Sequence, residues 1–504
     1  MPLLKLTAAD RDFFTALADV VFGNPFSPQR DELIVRLAPG AKPGDLTNDR
    51  EALARVVGPR IAPWSREGLP AAKGMSAADR GLLEPAVLYV CYHRYIPQLD
   101  ALIERQAAQG GTPLAVPFAD EAIAQLIGGG LAEDRALRFF AFYFQLRRAF
   151  YFIERSLAGG SESMRRLREA LWNNIFTHDM RGYEAALWNR MEDFSTLLLG
   201  ETGTGKGSAA AAIGRSGFIP YLPEQRRFAA NFAETFIAIN LSQFPEALIE
   251  SELFGHRKGS FTGAIDNHEG VFARCSAHGA LFLDEIGEVS IPAQIKLLQV
   301  LQERTFTPLG GHEKKRFAGR VIAATNQALG KMRRDGRFRE DFFYRLCSDV
   351  IEVPTLRQRI SESPAELEHL VQFLVARIIG SPSPDIVADV LKALGKNLPR
   401  DYAWPGNVRE LEQAVRRILL TGLYSAESSP AQGNEEAILD FMRSGEMTAA
   451  ELLGRYSALL YRRFGTYSDV AKRMGLDART TRKYVESNTG DKRKGERGKV
   501  KEGG

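Results

Sequence analysis

Ser195-Thr-Leu-Leu-Leu-Gly200-Glu-Thr-Gly-Thr-Gly-Lys206-Gly-Ser-Ala-Ala-Ala-Ala-Ile213 decides the fold. Residues 195–199 are a short apolar run that reads as a buried strand. Residues 208–213 are alanine-rich and favour helix. Between them stand Gly200, Glu201, Thr202, Gly203, Thr204, Gly205, Lys206 and Gly207, followed by Ser208. Strand, glycine-rich loop and helix are the context of a phosphate-binding loop. Its glycines let backbone N–H groups turn toward one anion, and the helix N-terminus adds partial positive charge. Lys206 supplies a full charge to the outer phosphates. Given these flanks, an ordinary strand-to-helix turn is the weaker reading. One departure is Gly207, which stands where such loops usually carry a Ser or Thr that reaches Mg²⁺. Ser208 sits one place further round the helix, so the metal must lean on other groups.

Three further apolar runs end in polar residues. Phe236-Ile-Ala-Ile ends in Asn240, a carboxamide placed where an α/β site opens. Gly279-Ala-Leu-Phe-Leu ends in Asp284 and Glu285. Such a pair divides the labour: Asp284 holds Mg²⁺, and Glu285 orients and polarises the attacking water. Both acids merely capping a helix is the bland alternative. Arg320-Val-Ile-Ala-Ala ends in Thr325 and Asn326, placed to contact the γ-phosphate or the water. The basic residues of 336–345 suit arginine fingers for a neighbouring subunit's nucleotide or, equally, a solvated helical face. Pro354 ends the α/β part. Residues 361–421 read as a small helical lid, whose last helix brings Arg409 within reach of phosphate. Gly259-Ser260-Phe261-Thr262-Gly263-Ala264 is a mobile tip presenting one aromatic, or a buried turn anchored by it; the residues alone favour neither.

Composition is that of an ordinary soluble globular chain: 504 residues, 44% hydrophobic, 25% charged, net charge +4. This length predicts two to four domains. Cys91, Cys275 and Cys347 are far apart, and the seven histidines show no metal spacing, which fits a reduced, cytoplasmic protein. No signal peptide is evident, and the most apolar run, 137–153, holds Arg138, Arg147 and Arg148, so it is a core helix rather than a membrane span. Residues 1–158 have helical spacing and form a regulatory domain of no recognisable type. The aromatic cluster at 139–152 reads as core packing or a dimer interface ahead of a ligand pocket. The ATPase subdomain is placed at 159–355, the lid at 356–424 and a linker at 425–444. A helix-turn-helix follows at 445–487, with a basic disordered tail at 488–504. Val470, Met474 and Leu476 face inward, Ala471 sits at the helix crossing and Gly475 permits the turn. Arg479, Thr480, Arg482 and Lys483 fall on the second helix, where they meet bases and phosphates.

These residues together resemble one family, the bacterial enhancer-binding activators of sigma-54 RNA polymerase, which are AAA+ ATPases. The resemblance is strong over 160–425 and moderate over 445–487. Its most specific motif is the 259–264 loop, similar to the family's GAFTGA loop with Ser260 replacing Ala. The resemblance makes Phe261 and Thr262 contacts for sigma-54. It implies that 200–206 is the Walker A loop, that Asp284 and Glu285 are Walker B, and that Asn240 is the switch residue holding Glu285 until ATP is sensed. It likewise makes Thr325 and Asn326 sensor I, Arg339 and Arg345 the arginine fingers, and Arg409 sensor II. The fingers imply a homo-oligomeric ring, hexameric in the family, and the C-terminal unit resembles a Fis-type helix-turn-helix. Gly207 departs from the family's usual Glu, residues 216–234 are longer than usual, and Thr481 replaces an apolar residue. The expectation is an α/β AAA+ core with a helical lid, an α-helical N-terminal domain and an all-α C-terminal unit. Its cofactors are ATP and Mg²⁺; its partners are sigma-54 RNA polymerase holoenzyme, upstream DNA, further copies of the chain and an unidentified N-terminal effector. A remodeller of another protein, or a DNA-binding regulator with a degraded ATPase, are the competing readings.

Overall fold

The computed structural model describes residues 5–41, 46–66, 69–70, 75–399, 401–424 and 448–489. They belong to two units, Met1–Tyr424 and Ser425–Gly504. The expected linker at 425–444 and the basic residues 492–501 lie outside the described residues.

Five strands build the central sheet: β1 (Thr196–Leu199), β2 (Phe236–Asn240), β3 (Ala280–Asp284), β4 (Arg320–Thr325) and β5 (Asp349–Glu352). All pair in parallel, in the order β5-β1-β4-β3-β2. Side chains alternate between its faces. Leu197, Leu281, Leu283, Val321 and Ala323 enter one core, with Leu297 and Phe342 from helices and Phe317 from the segment just before β4. Leu198, Phe282, Ile322 and Ala324 enter the other, against Ala209 and Ile213 of the helix Lys206–Gly214. Register brings the chemistry to one edge: Asn240 lies opposite Asp284, and Thr325 opposite Leu199. This is the α/β core expected, and β5 is a strand the sequence reading did not name.

The second core does not stop at the sheet. It runs from Leu198 and Phe282 through Phe228 and Phe232 to Phe140, Phe144, Leu99 and Ile103. The join is made by the extra residues before β2. They form a two-stranded hairpin, Tyr221–Leu222 with Arg227–Phe228. Phe228 stacks on Phe144 at 4.1 Å between ring centroids, and Tyr221 meets Phe140 edge-on at 5.1 Å. The helix Glu133–Ser156 then grips the far end of the phosphate-loop helix. Arg148 donates to the carbonyls of Arg215 and Gly217, both at 2.7 Å, and Gln145 donates to that of Ser216 at 2.9 Å. Arg148 is fully buried, with its guanidinium 4.5 Å from the centre of the Phe144 ring. Burial lowers its pKa to about 9. The aromatic cluster is therefore mainly core.

Residues 8–61 add three helices with their own core around Phe14, Leu17, Ile34 and Leu53. The helix Ala77–Gln109 joins the two cores, with Tyr89 facing one and Leu88 the other. The lid comprises Leu356–Glu362, Glu366–Ile379, Pro384–Asn397 and Asn407–Thr421, packed around Leu370, Leu374, Leu411 and Val415. Within the lid, the buried pair Arg359 and Glu366 at 2.7 Å anchors it to residues 158–161, with Arg359 donating to the Ala158 carbonyl at 2.5 Å. Glu366 also accepts from the backbone N–H groups of Gly160 and Ser161 at 2.7 and 3.0 Å, so the pair is satisfied on both sides.

The described residues of the second unit form three helices, Ala449–Phe464, Tyr467–Met474 and Ala478–Thr489. Gly475 caps the middle helix at φ 65°. Val470, Ala471, Thr481 and Val485 are buried between the helices, while Met474 and Leu476 are half-buried. Among the described residues no helix is long and apolar enough to cross a membrane.

Candidate nucleotide site and interaction loop

The phosphate loop leaves β1 and turns through Gly203 and Gly205, at φ 81° and 108°. Lys206 is buried, and its ammonium donates to the loop's own carbonyls at Gly200 (2.9 Å) and Glu201 (3.2 Å). Burial lowers its pKa, with Glu285 and Asp284 opposing that shift. One cleft is lined by Thr202, Lys206, Asn240, Asp284, Glu285 and Arg409, drawn from the phosphate loop, two further strand ends and the lid. Gly207 and Ser208 border it too and are exposed. A side chain at Gly207 would meet open space, so the missing hydroxyl leaves room rather than a distortion.

The strand-end residues divide in their geometry. Asn326 donates to the Thr202 hydroxyl at 2.8 Å, linking β4 to the phosphate loop. Thr325 is fully buried and accepts from the Gln327 backbone at 3.1 Å, so it shapes the turn beside the cleft. Asn240 points its carbonyl at Ser242, accepting from the backbone at 3.0 Å and the hydroxyl at 2.7 Å. Among the described residues it makes no hydrogen bond to Glu285. Glu285 itself has φ 55°, a left-handed conformation that an ordinary side chain rarely adopts. Asp284 accepts its backbone N–H at 3.1 Å.

The lid is fastened directly to the phosphate loop. Asn407, at φ 54° and fully buried, donates to the Glu201 carboxylate and the Thr202 carbonyl, both at 3.1 Å. Its own carbonyl accepts from Leu356 at 2.9 Å. The Arg409 backbone donates to the Gly203 carbonyl at 3.3 Å. Arg357 closes a two-pronged ion pair on Glu201. That pair holds the Glu201 carboxyl below the usual carboxylate range, with Asn407 adding to the effect. Sequence reasoning assigned none of these roles to Glu201, Arg357 or Asn407; the only hint was the basic run 357–359 just after Pro354.

The 259–264 loop lies between His256 and His268, whose backbones bond each other at 2.9 and 3.0 Å. It is closed by the Gly259 N–H to the Ala264 carbonyl at 2.8 Å. Phe261 is 37% exposed and its ring meets His256 edge-on at 4.9 Å. Ile265, just beyond, is 75% exposed. A second hairpin, Thr305–Phe306 with Lys315–Arg316, braces the loop's base, since Arg257 donates to the Leu309 carbonyl at 2.9 Å. The aromatic thus stands near the surface on a fixed base.

Comparison with known proteins places this region. Residues 180–352 match the family described as the Sigma-54 interaction domain. The chain is 42% identical over 235 residues to the DNA-binding transcriptional regulator NtrC of Azospirillum brasilense, covering 47% of this chain and 44% of NtrC. It is 38% identical over 294 residues to the nitrogen fixation protein VnfA of Azotobacter vinelandii, covering 56% and 52%. The chain spans about half the length of the curated relatives it matches. Among solved structures, NtrX from Brucella abortus in complex with ATP aligns at a TM-score of 0.39 and 23% identity, over 73% of this chain and 79% of that one.

Within the sigma-54 interaction domain, the two expected finger arginines lie away from the cleft. Arg339 is half-buried and paired with Asp341 at 2.7 and 3.0 Å. Arg345 donates twice to the Leu301 carbonyl, at 2.8 and 3.0 Å. In the C-terminal unit, Arg479, Arg482 and Lys483 are exposed and Thr480 is half-buried. Thr481 turns inward, and its hydroxyl donates to the Asp477 carbonyl at 2.9 Å, which is how the helix accepts a polar residue there.

Proposed function

We propose that this chain is a sigma-54-dependent transcriptional activator that couples ATP hydrolysis to remodelling of the sigma-54 polymerase complex. The observation that carries the reading is the pairing, in one domain, of a complete nucleotide cleft with a glycine-flanked aromatic loop on a fixed base. Lys206 and the loop N–H groups bind the phosphates, Asp284 would hold Mg²⁺, and Glu285 orients the attacking water. When bound, Mg²⁺ neutralises charge on the phosphates. Asn326 reports phosphate occupancy to Thr202, and Arg409 approaches from the lid. Arg339 and Arg345 leave their present partners to reach a neighbour's nucleotide when a ring assembles. Phe261 and Thr262 press on sigma-54, and Arg479, Thr480, Arg482 and Lys483 hold upstream DNA.

The test is capture of purified protein on sigma-54 with an ATP transition-state analogue. Nucleotide-dependent capture, lost in Phe261→Ala while ATP turnover persists, is the expected result. Turnover without capture in the unaltered chain would overturn the reading in favour of another remodelling target. Absence of turnover would favour a DNA-binding regulator that no longer hydrolyses ATP.

A further inference from the structure

A second cavity, about 210 Å³, lies where the two N-terminal cores meet. Its walls include Leu53 and Tyr89 from one core and Leu88, Phe142 and Trp172 from the other. Apolar cavities of about 150 Å³, opened by engineering in other proteins, stay dry and bind benzene. This one is larger and more aromatic. Polar side chains line it as well, among them Asp49, His93, Arg147 and Glu184. Arg30 lines it, and its Nε donates to the Val20 carbonyl at 3.2 Å. Its Nη1 is buried and has no acceptor among the described residues. Asp31 and Asp49 already face its charge. What is missing is therefore a neutral acceptor, not a third anion.

The cavity is wired to the phosphate-loop helix. Tyr183 forms part of its wall and is fully buried. The Tyr183 hydroxyl bonds Gln145 at 2.9 Å. The same Gln145 amide donates to the Ser216 carbonyl at 2.9 Å, and the Ser216 hydroxyl donates to Ala212 at 2.6 Å. Ala212 lies on the helix Lys206–Gly214. A displacement of Tyr183 thus changes the support of the helix that carries Lys206.

We propose that this cavity binds an uncharged, single-ring apolar molecule with one hydrogen-bond acceptor directed at Arg30, and that occupancy alters ATP turnover through Tyr183 and Gln145. The binding half stands alone; the turnover half rests on the proposed ATPase. The test uses full-length protein and 4-fluoroacetophenone, followed by ¹⁹F NMR, with 1-ethyl-4-fluorobenzene as the analogue lacking the acceptor. We expect saturable one-site binding, weakened at least about tenfold by Leu88→Trp, which fills the space. Arg30→Met should weaken the ketone about threefold or more and leave the hydrocarbon unchanged. No saturable binding in the unaltered chain, or binding indifferent to Leu88→Trp, overturns the site. If Leu88→Trp does not fold, Val21→Phe at the cavity wall serves the same purpose, and indifference to it also overturns the site. For the coupling, the ketone should change turnover about fivefold or more in the unaltered chain. Tyr183→Phe should keep binding and lose that change. Binding with no effect on a measurable turnover overturns the coupling. Turnover absent with and without the ketone instead overturns the ATPase reading while the binding result stands.

Discussion

The phosphate loop and the 259–264 loop are both rich in glycine, yet their glycines answer different demands. At Gly203 a Cβ would lie 2.2 Å from the Gly406 carbonyl and 3.0 Å from Cβ of Arg409. That glycine serves a left-handed turn and, at the same time, the contact of lid on loop. At Gly259 and Gly263 the backbone is equally left-handed, but a Cβ would meet nothing within 4 Å. Those glycines serve only the turn. One loop is held on both sides, as a site that must keep its geometry through a reaction. The other is fixed at its base and open at its tip, as a surface meant to meet something else.

Substitutions can sharpen or break this contrast. Lys206→Ala removes the charge at the centre of the first loop and should lower ATP turnover at least about a hundredfold, measured by phosphate release. Gly203→Ala adds a steric clash to backbone strain, and should cost about 2–4 kcal/mol in thermal or denaturant unfolding, with nucleotide affinity falling in parallel. Gly263→Ala should cost only the backbone strain, about 1–2 kcal/mol, and leave nucleotide affinity intact while sigma-54 capture falls. Equal losses of nucleotide affinity in these two variants would erase the distinction. The smallest effect is expected at the exposed Arg357–Glu201 pair. Arg357→Met should cost less than about 1 kcal/mol. Glu201 has a depressed folded-state pKa, so the pair's contribution is present above the unfolded carboxylate value and is lost as pH falls through the folded one. Variant and unaltered chain should therefore differ in stability at neutral pH and converge in acid.

The first four strands were legible because each is a short apolar run that ends in its own chemistry. β5 was not: Asp349 and Glu352 flank only two apolar residues, and its partner is known only once the sheet is built. The cleft's Lys206, Asp284 and Glu285, and Asn326 beside the phosphate loop, came from motif and spacing. The lid's fastening did not, because Glu201, Arg357 and Asn407 are brought together only by the fold. The left-handed Glu285 has no compositional signal, since nothing but tertiary packing holds a carboxylate residue there. The unusual length of 216–234 was visible, but not that Tyr221 and Phe228 would meet Phe140 and Phe144.

That hairpin changes what kind of object the N-terminal helices are. Regulatory segments that hang from a catalytic body can be cut away to reveal what it does alone. Here the cut would run through Phe140, Phe144, Phe228 and Phe232, all at most 1% exposed, and would strip Arg148 from the carbonyls of Arg215 and Gly217. The remnant would carry an oily scar and an unsupported helix end, and its natural fate is aggregation rather than release. Any control these helices exert would work as flexing does in a single casting: by small shifts within one body, with nothing let go.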